Sequence, residues 1–260
     1  MRILLLTGSI NAKLASPVMT KIVNIEDRRN QYLNTIKRYI KESDFDTIIF
    51  CENTKSDFPV EECQDLADEY GKQIEFIFFL GNVTCINKQG KGFGDGECIE
   101  YAINHSKYLQ DDSACFYKVT GRLFVENIND ILKNSYKNEN CFYRLGFKAL
   151  TVGTFFFKVQ VGFFKKNLMT EYKFVNDSDG RYLEVIYYDI LIREKVRAFN
   201  PYPYINGLSA STGESYLKTL KLNKRTSYIF NSLGLYRVNG IWSSLFNFIK
   251  KKLLLKNTIS

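Results

Sequence analysis

The segment from Asn87 to Arg122 concentrates residue types that could handle a phosphorylated ligand. It begins Asn87-Lys88-Gln89-Gly90-Lys91-Gly92-Phe93-Gly94-Asp95-Gly96-Glu97 and continues as an apolar-periodic stretch to Leu109. It ends in Phe116-Tyr117-Lys118-Val119-Thr120-Gly121-Arg122. Four glycines in seven positions strip side chains from a backbone that a ligand could then approach closely. Lys91 sits among them, and Lys118 and Arg122 punctuate the apolar strand that follows. Such cations suit phosphate oxygens, and a guanidinium can hold two of them at once.

Other polar residues invite a chemical reading. Asp177 and Asp179 form a literal Asp-x-Asp, and Asp95-x-Glu97 offers a second acidic pair. Carboxylates of this kind accept hard cations such as magnesium. Asn176-Asp177-Ser178-Asp179-Gly180 also has the composition of a plain turn, and Asp95 with Glu97 suits the positive end of a helix. His105 is the only histidine and lies near a helix end, where a cation suits the dipole.

The elements that must position these residues alternate. Arg2–Thr7, Thr47–Cys51, Ile74–Leu80 and Ala114–Val119 are apolar runs of strand length. Between them, apolar residues recur at helical spacing: Ile25 to Ile40, Cys63 to Tyr70 and Cys98 to Leu109. That alternation predicts an α/β sheet with parallel neighbours. Later come a short helix over Ile128–Leu132, one or two strands over Val152–Phe164 and a helix over Tyr182–Ile192. Pro201-Tyr202-Pro203 and the Gly207–Gly213 stretch read as an irregular loop. The division expected is a domain over 1–200 and a C-terminal loop and amphipathic helical appendage over 201–260.

In an open parallel sheet, ligands bind beyond the carboxyl ends of the strands. Gly8-Ser9, Glu52-Asn53, Asn87–Glu97 and Lys118–Arg122 all fall at such ends.

Composition sets the bounds. A chain of 260 residues, 45% apolar and 25% charged, can bury a core without staples. The excess of 36 Lys and Arg over 28 Asp and Glu, a net +8, calls for an anionic partner. The six cysteines form no C-x-x-C pair and read as reduced packing residues of a cytosolic protein. Neither a secretion signal nor the roughly 20 apolar residues of a membrane span is present.

The order of elements resembles the nucleotide-sugar half of the GT-A glycosyltransferase fold, over about residues 1–195. Cys51-Glu52-Asn53-Thr54-Lys55-Ser56-Asp57 stands where that fold has an acidic turn contacting base and ribose. Asn87–Gly96 is similar to its Asn/Gly loop, and the stretch through Lys118-Val119-Thr120-Gly121-Arg122-Leu123-Phe124 is similar to proteins of bacterial capsule and O-antigen assembly. The resemblance implies transfer of a sugar from a nucleotide-sugar donor to a glycan or polyprenyl-linked acceptor, at the inner face of the cytoplasmic membrane. It assigns Gly8, Ser9, Glu52, Asn53, Asn87, Gly90, Lys91, Gly92, Gly94, Asp95, Glu97, Lys118, Gly121 and Arg122 to the donor.

One departure matters. Where GT-A enzymes usually carry a metal-binding Asp-x-Asp, this chain has Lys118-x-x-x-Arg122. Fixed cations can stabilise a departing phosphate as a metal does, so metal-independent transfer without any cofactor is expected. By the same resemblance, Glu184 at a helix start is the candidate general base, with Asp179 and Asp189 as competitors; a helix-capping role for Glu184 stays open.

The alternatives are a nucleotidyltransferase or a basic nucleic-acid-binding protein. The first needs a Gly-rich loop directly after the first strand, where Gly8-Ser9-Ile10-Asn11 is glycine-poor. For the second, Phe155-Phe156-Phe157 and Phe163-Phe164 read as core rather than a base-stacking face, so no nucleic acid is expected. Ile241 to Leu255 with Lys250, Lys251, Lys252 and Lys256 makes an amphipathic stretch over 241–256. It suits a peripheral membrane contact, or packing on this domain or another subunit.

Overall fold

The computed structural model describes residues 1–14, 22–135, 139–145, 150–208, 213, 215–216 and 229–240. The amphipathic stretch 241–256 lies outside the described residues.

Strand β1 (Ile3–Gly8) is buried along its whole length because helices cover both faces of the sheet. Ile3 and Leu5 enter one core beside Cys98, Ile99 and Ala102, while Leu4 and Leu6 enter a second beside Tyr32, Ile36 and Tyr39. Alternate residues of a strand face opposite ways, so two-sided burial demands a continuous apolar run rather than an alternating one.

β2 (Thr47–Glu52), β3 (Gln73–Phe78) and β4 (Cys115–Thr120) join β1 in parallel, and β6 (Phe156–Gln160) adds an antiparallel edge to β4. The order is β3-β2-β1-β4-β6. This is a mixed α/β, mostly parallel, Rossmann-like sheet flanked by helices, as expected. The parallel register brings Thr7, Cys51 and Thr120 level, so the strands' carboxyl ends share one rim. β6 runs the other way, which brings its amino end, beginning at Phe156, to that same rim beside Val119.

Helix α1 (Ile25–Glu42) starts where Asn24 accepts the amides of Glu26 and Asp27. α2 (Val60–Glu69) follows β2. Two expectations fail here. The Asn87–Glu97 segment is not a loop: α3 (Val83–Gln89) and α4 (Lys91–His105) meet at Gly90, whose φ of 112° makes the break. Its glycines serve packing. A methyl group at Gly96 would lie 2.1 Å from Tyr172 Cβ, and one at Gly92 would lie 3.0 Å from Leu183 Cβ. The two are one helical turn apart, so α4 is bare on the side it lays against the Glu171–Phe174 turn and α7 (Leu183–Leu191).

The second failure is Val152–Phe164, of which only β6 is strand. Val161 and Gly162 turn their amides to Ala114 O and Asp112 O, and the chain becomes α6 (Val161–Asn167). A short apolar run does not distinguish a buried strand from a buried helix. Phe156, Phe157 and Phe164 are core, as expected, while Phe155 and Phe163 are only partly buried and pack against it. Four of the cysteines are core too, and all six are free thiols.

After β4, β5 (Phe124–Val125) and α5 (Ile128–Asn134) lie beside α1. The chain crosses residue 200 to form β7 (Ile205–Asn206), which pairs with β5, and Tyr236 and Val238 are buried against the domain. Among the described residues no helix is long and apolar enough to cross a membrane.

Replacing Gly96 by Ala tests the packing role. Alanine's helix propensity would contribute about 0.8–1.0 kcal/mol. Overpacking against Tyr172 costs about 1–3 kcal/mol, so a net loss of stability is expected by denaturant titration. Gly94→Ala meets Asn53 Nδ2 at 3.2 Å and the Ile86 side chain at 3.3 Å, contacts that need a few tenths of an ångström of give, so its loss should be smaller than that of Gly96→Ala.

Candidate functional site

A cleft of ≈ 290 Å³ opens at the rim where β1, β2 and β4 end. Its walls hold Gly8 at the end of β1 and Ser9 beyond it, Asn53 after β2, Thr120 at the end of β4 and Arg122 beyond it, and Thr154 and Phe155 before β6. α1 contributes Arg28 and Tyr32, α4 contributes Lys91, Gly92, Gly94 and Asp95, and Asp177, Tyr182 and Glu184 close the far side.

Three cations converge here. Arg122 is 7% exposed, donates to Gln31 Oε1 at 3.1 Å, lies over the Tyr32 ring and leaves its Nε without a partner. Arg28, 4% exposed, spends its guanidinium on carbonyl oxygens: Ser9 at 2.9 Å, Ile10 at 3.0 Å and Ile22 at 3.3 Å. Carbonyls orient a cation without cancelling its charge. Burial and Arg122 both weaken Arg28's hold on its proton. Lys91 feels burial and then both arginines, which together bring its pKa down to about 8 despite Asp177. Like charges gathered in a partly dry cleft make an environment that favours an anion.

The acidic residues divide by role. Glu52 was expected to meet base and ribose, but its buried carboxylate is occupied by protein donors. It accepts Ile10 N at 2.8 Å, Thr54 N at 3.0 Å, Ser56 N at 3.2 Å and the Thr54 hydroxyl. It therefore shapes the segment after β1 instead of lining the cleft. Asp177 reaches across to accept the Lys91 amide at 3.0 Å. It caps α4 from another element, and Gly90 provides the room. Asp179 is exposed and tied to Asn176 Nδ2 at 2.5 Å, within a turn closed by Gly180 at φ 70°. Glu184, in the first turn of α7, lies in the cleft wall and accepts the Thr154 hydroxyl at 2.8 Å. Burial pushes its carboxyl above the ordinary range.

Of the residues expected at the donor, Gly8, Ser9, Asn53, Lys91, Gly92, Gly94, Asp95 and Arg122 do line the cleft. Asn87 is exposed on α3, and Glu97 accepts the Asn82 amide at 3.0 Å. Gly90 is the interhelical break, and Gly121 gives its amide to Thr7 O at 2.8 Å, carrying the β1–β4 pairing one bond further. Lys118 is fully buried beneath the cleft with its ammonium on Asp95 at 2.6 Å, so it does not face a ligand's phosphates. His105 stacks on Tyr101 at α4's end, its Nδ1 2.8 Å from Tyr101 O, in keeping with a structural role.

Sequence reasoning missed Arg28, Tyr32, Thr154, Tyr182 and Tyr216. Arg28 carried a signal: it shares the buried face of α1 with Tyr32, Ile36 and Tyr39, where an arginine is out of place. No protein-family profile matches this chain, and no curated protein matches it.

Proposed function

We propose that the protein is a glycosyltransferase that moves a sugar from a nucleotide-sugar donor to a hydroxyl acceptor. The observation that carries this reading is the convergence of Arg28, Lys91 and Arg122 on a cleft that also presents Glu184. The donor's phosphates lie against the three cations. Glu184 takes the proton of the acceptor hydroxyl as its oxygen bonds the anomeric carbon. The bond from that carbon to the phosphate oxygen breaks, and its electron pair leaves on the phosphate. Preorganised cations stabilise the charge that builds there. A carboxylate of raised pKa is a better base than an exposed one. Phe155, Tyr182 and Tyr216 give the mouth an aromatic lip for a sugar ring.

A divalent ion, usual in the fold this chain resembles, fits the residues present poorly. Lys118 occupies one oxygen of Asp95, and Asp177 is turned to the Lys91 amide. Among the described residues, no three His, Cys, Asp or Glu side chains are grouped to hold a metal. The fixed cations take the electrostatic role in this reading.

The nucleotidyltransferase reading is disfavoured by the segment after β1. Its amides are engaged: Ser9 N on the Tyr32 hydroxyl at 2.9 Å, Ile10 N on Glu52 and Asn11 N on Thr54 Oγ1 at 3.1 Å. They are not presented to a triphosphate.

Melting curves with UDP-, GDP-, CMP- and dTDP-sugars test the reading directly. One nucleotide class should raise the melting point, because it binds only the folded chain. A chain stabilised by none of them is not this enzyme. In the class that binds, Arg122→Ala should weaken affinity by about 1.5–3 kcal/mol, the worth of a charge-assisted bond. Turnover should persist in a strong chelator.

The pH profile of kcat/KM should be bell-shaped. Glu184 acts only when deprotonated, so activity rises through its elevated pKa, above the ordinary carboxylate range. Lys91 acts only when protonated, so activity falls as pH passes about 8. Bound phosphate favours the ammonium, so the alkaline limb of kcat should lie higher than that of kcat/KM. Lys91→Arg should abolish the alkaline limb; a limb that stays put rules Lys91 out as its source.

A further inference from the structure

We propose that Asp95 reads a hydroxyl of the transferred sugar and that Lys118 is its positioning residue. This rests on the glycosyl-transfer reading above and adds to it the group that recognises the sugar. Lys118 projects from β4 into full burial. An ammonium has three N–H donors. These go to Asp95 Oδ2 at 2.6 Å, Thr154 O at 2.9 Å and Thr120 Oγ1 at 3.3 Å, so none is left for a phosphate.

Asp95 is placed differently. Its Oδ1 accepts from Thr7 Oγ1 at 2.7 Å, its Oδ2 from Lys118, and its side chain is 24% exposed on the cleft. A carboxylate offers about four acceptor sites, so acceptor capacity remains on the cleft side. α4 carries the group while β1 and β4 each pin one oxygen. An anion in a cleft built for phosphates repels them, so its partner must be a donor, and the donors that every transferred sugar carries are hydroxyls. Burying a lysine against one carboxylate is expensive in desolvation, and an apolar pair would suit bare packing better. A cleft-facing oxygen held in one orientation gives that pair a use.

The same lysine also sets the base. Thr154 receives Lys118 on its carbonyl and donates its hydroxyl to Glu184 Oε1 at 2.8 Å. Asp95, Lys118, Thr154 and Glu184 are one bonded chain, so the hydroxyl reader and the proton acceptor keep a fixed separation.

The test compares free nucleotides with their sugar conjugates by titration calorimetry: UDP with UDP-glucose, UDP-galactose and UDP-N-acetylglucosamine, GDP with GDP-mannose, and dTDP with dTDP-glucose. The wild type should bind one conjugate about tenfold more tightly than its parent nucleotide, as one charged hydrogen bond would give. The double variant Lys118→Met with Asp95→Asn removes the pair without orphaning a charge. It should bind the parent nucleotide within about twofold of the wild type and lose the preference for the conjugate. A purely structural pair would not move that ratio. Retention of the preference overturns the proposal, as does a wild type that binds nucleotides with no preference for any conjugate. A parallel loss of nucleotide affinity overturns it too, returning Lys118 to the phosphates. A wild type that binds no nucleotide ends the glycosyl-transfer reading itself, and the proposal with it. If the double variant does not fold, Asp95→Glu decides: the charge stays paired, the oxygens move, and the preference should fall.

Discussion

The buried ion pair between Lys118 and Asp95 is the constraint around which the site is built. It joins β4 to α4, and with the Thr7 hydroxyl on Asp95 and the Asn53 amide on Gly94 O it fixes that helix to the strands' rim. Its geometry is demanding. A lysine with no exposure is tolerated only when each ammonium hydrogen has an acceptor, and here a carboxylate, a carbonyl and a hydroxyl supply them. Those acceptors come from α4, from the residues before β6 and from β4 itself. The pair therefore also sets how closely α4 approaches the strands. Gly92 and Gly96 answer a separate contact, the close approach of α7 and of the Glu171–Phe174 turn to the same helix.

Above this neutralised floor the rim keeps its positive charge. Arg28 could have been matched by a carboxylate, and Glu52 is near enough to bear on it. Glu52 instead spends its oxygens on three amides and a hydroxyl, while Arg28 is held by carbonyls. The segment after β1 is thereby clamped from both sides by groups of opposite sign that do not pair with each other. One consequence is a loop rigid enough to hold Ser9 against Asn53, through a 2.6 Å hydroxyl bond. Another is a guanidinium that enters the cleft still charged. The depressed pKa of Lys91 reports the same field from across the opening.

How much of this was legible in the sequence depends on which physical signal each residue left. The alternation of apolar runs and helical periods gave the α/β class, because two-sided burial imposes continuous strands wherever it occurs. The rim residues Ser9, Asn53 and Arg122 followed from strand ends alone. The glycines misled. Spaced every second residue, they read as a ligand loop, whereas a helix uses the one-turn spacing of Gly92 and Gly96 for close packing; only the neighbour at Tyr172 distinguishes the two. Lys118 misled for a related reason: sequence shows a cation on a strand but not which face it points to or that Asp95 lies opposite. Arg28 was legible in principle from its place on an apolar helix face. Leu208 and Tyr216 left no local signal, since their position follows from the pairing of β7 with β5 far away in the chain.

The balance of effects on Glu184 ties the two halves of the site together. Its place in the first turn of α7, the Thr154 hydroxyl and the Lys118 charge all favour the ionised form. Burial opposes them and is the largest effect, and the neighbouring Asp95 charge adds to it. The outcome is a carboxyl that holds its proton more tightly than an exposed glutamate yet still has groups arranged to stabilise the anion. A fully desolvated carboxylate without them would stay protonated at neutral pH, and a fully solvated one would be too weak to take a hydroxyl proton. Lys118 acts on both sides of that balance. Its own charge lowers the pKa of Glu184, while the carboxylate it pairs with raises it. The ion pair thus acts on Glu184 with opposed signs, while burial, the glutamate's own backbone amide and the Thr154 hydroxyl weigh more, and all three are set by packing.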